Sequence, residues 1–252
     1  MNDLAESRSF TGPKASVIFS PRGESGPQVF LNYGRGFHSN DARSVVSDPS
    51  GVALAAADGY EVGYGQVFAD RLSISLAYWV LDLEGELVFV GDEGRTEISG
   101  PTRRRGPEVE ARLKLRERLS VDGAVFYSDG HYRGSEEVIA RAPRLVASSG
   151  VSFESFFGLS GNLRLRHVGN HPLVEDGSVE ASGYTAADLY LRYGLSKRWE
   201  AVVAVENLFD AEIKEAQTYF ASRLPFETTE VSDNHFTPGN PFTLRLGLQY
   251  RF

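Results

Sequence analysis

The chain has 252 residues, 41% hydrophobic and 24% charged, with a formal net charge of −8 and a pI near 5.2. That balance argues against a nucleic-acid binder, which needs a basic face, and the absence of cysteine removes disulfides, thiol nucleophiles and cysteine-held metals. No stretch approaches the roughly 18 apolar residues of a membrane-spanning helix.

A two-residue beat runs along the chain. After a first predicted strand at Lys14 to Ser20, QVFLNYGRGF sets Val29, Leu31, Tyr33 and Phe37, with Arg35, against Phe30, Asn32, Gly34 and Gly36. A third strand is predicted at Tyr60 to Phe68. In RLSISLAYWV, Leu72, Ile74, Leu76, Tyr78 and Val80 oppose Ser73, Ser75, Ala77 and Trp79. EVEARLKLR is sharper: Val109, Ala111, Leu113 and Leu115 face away from Glu108, Glu110, Arg112, Lys114 and Arg116. A helix would scatter those charges around its circumference, whereas a strand collects them on one side.

LSVDGAVFY, a strand from Arg144 to Phe153, LSGNLRLRH, YTAADLYLRY and WEAVVAVEN continue the beat. The terminal FTLRLGLQYRF closes it, with Phe242, Leu244, Leu246, Leu248, Tyr250 and Phe252 opposite Thr243, Arg245, Gly247, Gln249 and Arg251. The sum is about eleven strands, most of the nine to eleven residues that cross a bilayer when tilted.

The connections alternate as well. Short turns at RERLS, ESFFG and GLSKR separate longer polar segments: HSNDARSVVSDPSGVALAAADG, GDEGRTEISGPTRR, DGHYRGSEEVIARAP, GNHPLVEDGSVEASG and the run from Lys214 to Asn240. Short turns at one rim, long loops at the other, and aromatic residues near strand ends describe a membrane barrel. The predicted fold class is therefore all-β, an antiparallel up-and-down transmembrane β-barrel. A soluble two-sheet module would instead pack the leucine sides together and leave the arginines in water.

Enzymatic chemistry finds no foothold. The spacing of His167 and His171 matches a metal pair on a helix, but HVGNH lacks the glutamate of HExxH and lies at a strand end. The acidic run Glu175, Asp176 and Glu180 reads as a solvated loop. No GxSxG elbow, phosphate loop or EF-hand is present. We therefore expect no catalytic residue, no metal site and no cofactor.

The stretches VFLNYGRGF, SGPTRRRGPEVEARLKL, RAPRLVAS, GYTAADLYLRYGLSKRWEAVVAVENLFD and PGNPFTLRLGLQYRF together resemble the C-terminal half of TonB-dependent outer-membrane receptors, the ligand-gated importers of siderophores, cobalamin and some sugars. The resemblance implies half of a barrel of roughly 22 strands, with residues 1–252 forming the C-terminal part and the plug domain and TonB-contacting box lying outside them. The opening MNDLAESRSFTGPKASV does not read as a signal peptide either.

The same resemblance implies a Gram-negative outer-membrane location and contact with the lipid bilayer. It also implies Phe252 as part of the signal read by the barrel assembly machinery, and a TonB complex acting through the plug of a full-length parent. Its small-molecule ligand, an anionic iron chelate or similar nutrient, would be gripped by basic and aromatic groups near the long loops, for which Arg103, Arg104, Arg105, His131, Tyr132 and Arg133 are the candidates. The isolated chain is expected to transport nothing. An autonomous porin or adhesin barrel and a soluble antiparallel binding module are the alternatives.

Overall fold

The computed structural model describes residues 9–23, 26–39, 54–85, 87–90 and 95–252. Within the predicted long loops, residues 40–53 and 91–94 fall outside the described residues.

The strands in chain order are β1 (Lys14–Phe19), β2 (Gln28–Ser39), β3 (Leu54–Phe68), β4 (Leu72–Leu83), β5 (Leu87–Val90), β6 (Arg95–Ile98), β7 (Thr102–Arg116), β8 (Leu119–Tyr127) and β9 (Asp129–Tyr132). They continue as β10 (Leu145–Phe156), β11 (Leu159–Val168), β12 (His171–Pro172), β13 (Glu180–Ala181), β14 (Tyr184–Gly194), β15 (Trp199–Glu206), β16 (Lys214–Ser222), β17 (Val231–Pro238) and β18 (Thr243–Tyr250). Eleven of them form one path, β1-β2-β3-β4-β7-β8-β10-β11-β14-β15-β18, with β9 a twelfth beside β7. Every neighbouring pair on it is antiparallel. The hairpins β5–β6, β12–β13 and β16–β17 belong to the long connections.

The register shows what the alternation accomplishes. One cross-strand row reads Phe68, Leu72, Leu113, Val121, Val151, Leu163, Leu189, Val205 and Leu244, apolar on nine successive strands. The adjacent row reads Ser73, Arg112, Asp122, Gly150, Arg164 and Asp188. The apolar row starts at the last residue of β3 and ends at the second residue of β18. Strands therefore climb past one another across the sheet, the stagger that a tilted barrel wall requires.

Two of the short turns are built from positive-φ residues, which match the right-handed twist of the flanking strands. Ala69 and Asp70 have φ of 47° and 54°, and Arg71 N–H donates to the Phe68 carbonyl at 3.0 Å. Phe157 and Gly158, at 49° and 83°, link β10 to β11. The first of these turns uses no glycine.

Burial separates a membrane wall from a folded sandwich. On β18, Leu246 and Leu248 are 72% and 61% exposed, and Val17, Phe19 and Leu31 are exposed too. No second layer covers the leucine face among the described residues. The buried apolar residues lie toward the loops: Ala55, Ala56, Leu83, Ala186, Ala187 and Val205 near the long-loop ends of strands, and Ile139, Leu173, Ala181 and Ile213 in the long connections.

Two strand boundaries correct the sequence reading. β3 starts at Leu54, so LAAADG is strand rather than loop, paired residue by residue with Ser39 back to Gly34. β7 starts at Thr102, so Arg103, Arg104 and Arg105 lie in a strand.

Candidate ligand path: inner wall, outer rim and long-loop layer

The polar face is laced by ion pairs that cross strands. Arg164 Nη1 lies 2.7 Å from Asp122 Oδ2, although β10 runs between their strands. Gly150 makes that reach possible: a Cβ there would stand 3.2 Å from Arg164 Cζ and 3.3 Å from Asp122 Oδ1. Further along the wall, Arg166 pairs with Asp188 at 3.0 Å, Arg245 with Glu206 at 2.5 Å, and Arg192 and Arg251 both approach Glu200, at 3.6 and 3.5 Å. A cavity of about 510 Å³ opens on this face, lined by Ser73, Ser75, Glu110, Arg112, Asp122 and Arg164 among others. Toward the long loops, Trp79 stacks on Phe126 with centroids 5.1 Å apart and planes 9° from parallel. The buried Trp79 Nε1–H has no acceptor among the described residues. Such a wall offers charges, hydroxyls and an aromatic platform to anything in the lumen.

The outer face carries apolar residues between two aromatic belts. Tyr33 and Tyr60 meet at 5.2 Å on the long-loop side, and Trp199, Tyr250 and Phe252 cluster at 4.8 and 5.2 Å on the turn side. On β3 the eight steps from Tyr60 to Phe68 span about 27 Å along the strand, or about 20 Å along the membrane normal at usual tilts. Beyond Tyr60 the same face turns polar. Tyr33 Oη–H donates to Asp58 at 2.9 Å, Arg103 grips Asp82 through two bonds of 2.7 Å, and Arg35 stands 3.7 Å from Glu84. β3 and β7, at fifteen residues each, are longer than a bilayer needs, and their surplus carries these groups.

Five of the six predicted ligand residues divide between the two faces, and the sixth, Arg133, lies in the connection just past β9. β9 pairs with the start of β7, placing His131 opposite Arg103 and Asp129 opposite Arg105, on the outer face. His131 Nε2 lies 2.8 Å from Asp129, and Arg105 lies 3.6 Å from it. Arg104 and Tyr132 occupy the inner-face positions of the same strands. Tyr132 Oη–H donates to Glu175 at 2.7 Å, which ties it to the next long connection, while the Arg133 amide donates to the Pro101 carbonyl. Phe252 sits exposed just past β18.

The long connections interlock into a layer of their own. Val138 N–H donates to the Glu175 carbonyl at 2.9 Å and Arg141 N–H to the Pro172 carbonyl at 2.6 Å, joining residues 128–144 to residues 169–183. Gln217 of β16, 5% exposed, donates through Nε2 to the Ser182 carbonyl and accepts a bond from Asn234. Asp176 accepts bonds from the Ser178 hydroxyl and amide, and these hold its carboxyl below the usual range.

Asn207 anchors the last connection. It is 2% exposed with φ 49°, donates to the Ala211 and Asn240 carbonyls, and accepts from the Ala211 amide. Asp210 of the same ENLFD stretch accepts the Phe242 amide at 2.9 Å, so both ends of the excursion are clamped. Neither the Asn207 clamp nor Gln217 carries a signal in the sequence, because their partners, such as Ser182 and Asn240, lie more than 30 positions away.

The family described as "TonB dependent receptor-like, beta-barrel" matches residues 2–208. The ferrichrome outer membrane transporter/phage receptor of Escherichia coli K12 is 27% identical over 203 residues, covering 75% of this chain and 27% of that protein. Among solved structures, the copper transporter OprC superposes with a TM-score of 0.72 at 17% identity over 95% of this chain and 39% of its own. The ferric yersiniabactin uptake receptor FyuA of Yersinia pestis gives 0.68 at 16% over 95% and 37%. The ferric-catecholate import receptor Fiu of E. coli K12, in its closed form, gives 0.66 at 19% over 95% and 34%. The chain thus spans between about a quarter and two fifths of these relatives. With a family match over most of its length and a wall of the same architecture, the chain belongs to the TonB-dependent receptor-like β-barrel family.

Proposed function

We propose that this chain forms the C-terminal part of an outer-membrane receptor barrel that admits a metal chelate through a plugged lumen. The family places it in the Gram-negative outer membrane. The observation that carries the proposal is the pair of adjacent rows: nine apolar residues on nine strands, beside a row bearing Arg112, Asp122, Arg164 and Asp188. Hydrocarbon on one side and a wet lumen on the other satisfy both rows, because an arginine on the lipid side costs about 2–4 kcal/mol at midplane. The printed names of its relatives speak of ferrichrome, ferric catecholate, ferric yersiniabactin and copper, which supports a metal chelate as cargo.

In this role the chain is a conduit with no catalytic task. A plug from the rest of the receptor would couple it to the TonB complex, and the exposed Phe252 at the end of β18 would serve the assembly machinery. Arg104 and Tyr132, on the inner face, suit ligand contact better than Arg103, Arg105 and His131, which face outward beside acidic partners; Arg133 follows them in the connection.

The absence of native cysteine gives a direct test. Leu163→Cys and Leu246→Cys should react with a lipid-soluble maleimide and resist a charged one, and Arg164→Cys and Arg245→Cys should do the opposite. The reverse pattern would mean that the leucines line a protein interior. Cells carrying the chain alone should take up no ferric chelate, and uptake by them would overturn the view that the rest of the receptor is needed.

A further inference from the structure

At the short-turn end of the wall, two β-bulges turn side chains from the lumen to the outer face. The alternation that puts Arg112 and Lys114 inside would put Arg116 inside as well, yet β7 gains one residue against β8 between Lys114 and Arg116. Arg116 therefore stands opposite Leu119, which pairs with Phe153 in an outward-facing row. β10 gains one residue against β11 in the same way, so Phe156 stands opposite Leu159 and, beyond it, Tyr193. A bulge gives up ladder pairing and re-aims the residues that follow it. Here it brings an arginine and a phenylalanine to the outer rim of neighbouring hairpins. The two hairpins are tied together: Arg118 Nη1–H donates to the Ser155 carbonyl at 3.2 Å, and the Glu154 amide donates to the Arg118 carbonyl at 2.9 Å.

The two rims of the outer face treat their cations differently. Toward the long loops, Arg35, Arg103 and Arg105 are each paired, with Glu84 at 3.7 Å, Asp82 at 2.7 Å and Asp129 at 3.6 Å. At the turn rim Arg116 and Arg118 are exposed and form no ion pair among the described residues, although Glu117 lies between them in sequence. Two hairpins along, the exposed Lys197 and Arg198 repeat the combination beside the Trp199 and Tyr250 rings, again without an acidic partner among the described residues. Cations that keep no counter-ion where acyl chains give way to headgroups suit a phosphate supplied by the membrane. Phe156, 39% exposed on the same face, offers apolar contact at that boundary. A partner in the aqueous compartment would meet the turn tips and would not require an arginine re-aimed toward lipid.

We propose that Arg116 and Arg118 hold the phosphate of an anionic phospholipid in the leaflet on the short-turn side, with Phe156 against its acyl chains. The inference rests on the membrane reading of the wall and names one lipid contact on it. The chain has no cysteine, so a bimane attached in Leu119→Cys reports the lipids beside Arg116, and one attached in Leu31→Cys reports those at a distance. The full chain is reconstituted in phosphatidylcholine bilayers, and quenching by brominated phosphatidylglycerol is compared with quenching by brominated phosphatidylcholine. Beside Arg116 phosphatidylglycerol should be preferred by about fivefold, and at Leu31 neither lipid should be. Adding Arg116→Gln with Arg118→Gln should abolish the preference while brominated phosphatidylcholine still quenches, which shows that the wall remains in the bilayer. Arg116→Lys with Arg118→Lys should keep most of it. Equal quenching beside Arg116, a preference that survives the Gln pair, or its loss to inorganic phosphate at constant ionic strength would overturn the site. Quenching by neither lipid at either position would remove the membrane reading as well; quenching without preference removes the rim site alone.

Discussion

The membrane wall and the long-loop layer are held together by different physics. The wall has ladder hydrogen bonds and cross-strand pairs but, among the described residues, no layer packed over its leucine face, which is stable only against hydrocarbon. The layer buries apolar side chains of its own, Ile139, Leu173, Ala181 and Ile213, and is pinned by buried amides. Solvent therefore decides whether the wall folds, and side-chain detail decides the shape of the layer. Changes in the wall should act through the face they touch, and changes in the layer through the bonds they break.

The largest effect should come from Leu246→Arg. It puts a guanidinium into lipid on β18 and should destabilise the folded state by about 2–4 kcal/mol in equilibrium unfolding from vesicles. Gln249→Arg, on the inner face of the same strand, should stay within about 0.5 kcal/mol. Equal losses would erase the distinction between the faces.

Asn207→Ala should cost about 2–3 kcal/mol, because the Ala211 amide and the Ala211 and Asn240 carbonyls lose their partner in a buried site. Hydrogen exchange should speed up at Ala211 and across residues 214–238 while the β8–β11 wall stays protected. Asn207→Gly relieves the positive φ yet removes the same bonds, so it should recover only a fraction of the loss.

Gly150→Ala should do less, near 0–1 kcal/mol. It nudges the Arg164 guanidinium off Asp122, and a half-exposed ion pair is worth little. Salt titration of its unfolding should be flatter than that of the parent. Smallest is the acid response of Asp176. Its carboxyl titrates below the usual range, so the Ser178 bonds are intact above the ordinary carboxylate pKa and lost as pH falls through the lowered one. Protection of the Ser178 amide should follow that course, and Asp176→Asn should make it insensitive to acid.

The same contrast explains what the sequence discloses. All eleven strands of the wall are legible in the two-residue beat, because each meets two solvents. Their ends are less so. Leu54 to Gly59 is small and glycine-containing, so it carries no amphipathic signal and reads as loop although it pairs fully with β2. Arg103 to Arg105 read as a basic loop because charge appears on both faces once the strand clears the hydrocarbon. The long-loop layer is not legible at all. Val138 and Glu175, or Gln217 and Ser182, stand 35 or more positions apart, and only folding brings each pair together.

The strand count of the ladder has an arithmetic consequence. Eleven antiparallel neighbours leave β1 and β18, the two ends of the path among the described residues, running the same way. A ring in which every neighbour is antiparallel needs an even total. Two copies of this chain standing the same way up would join along two parallel seams, so a twin does not complete such a ring. Whatever does must bring an odd number of strands, with its first and last both pointing opposite to β1 and β18.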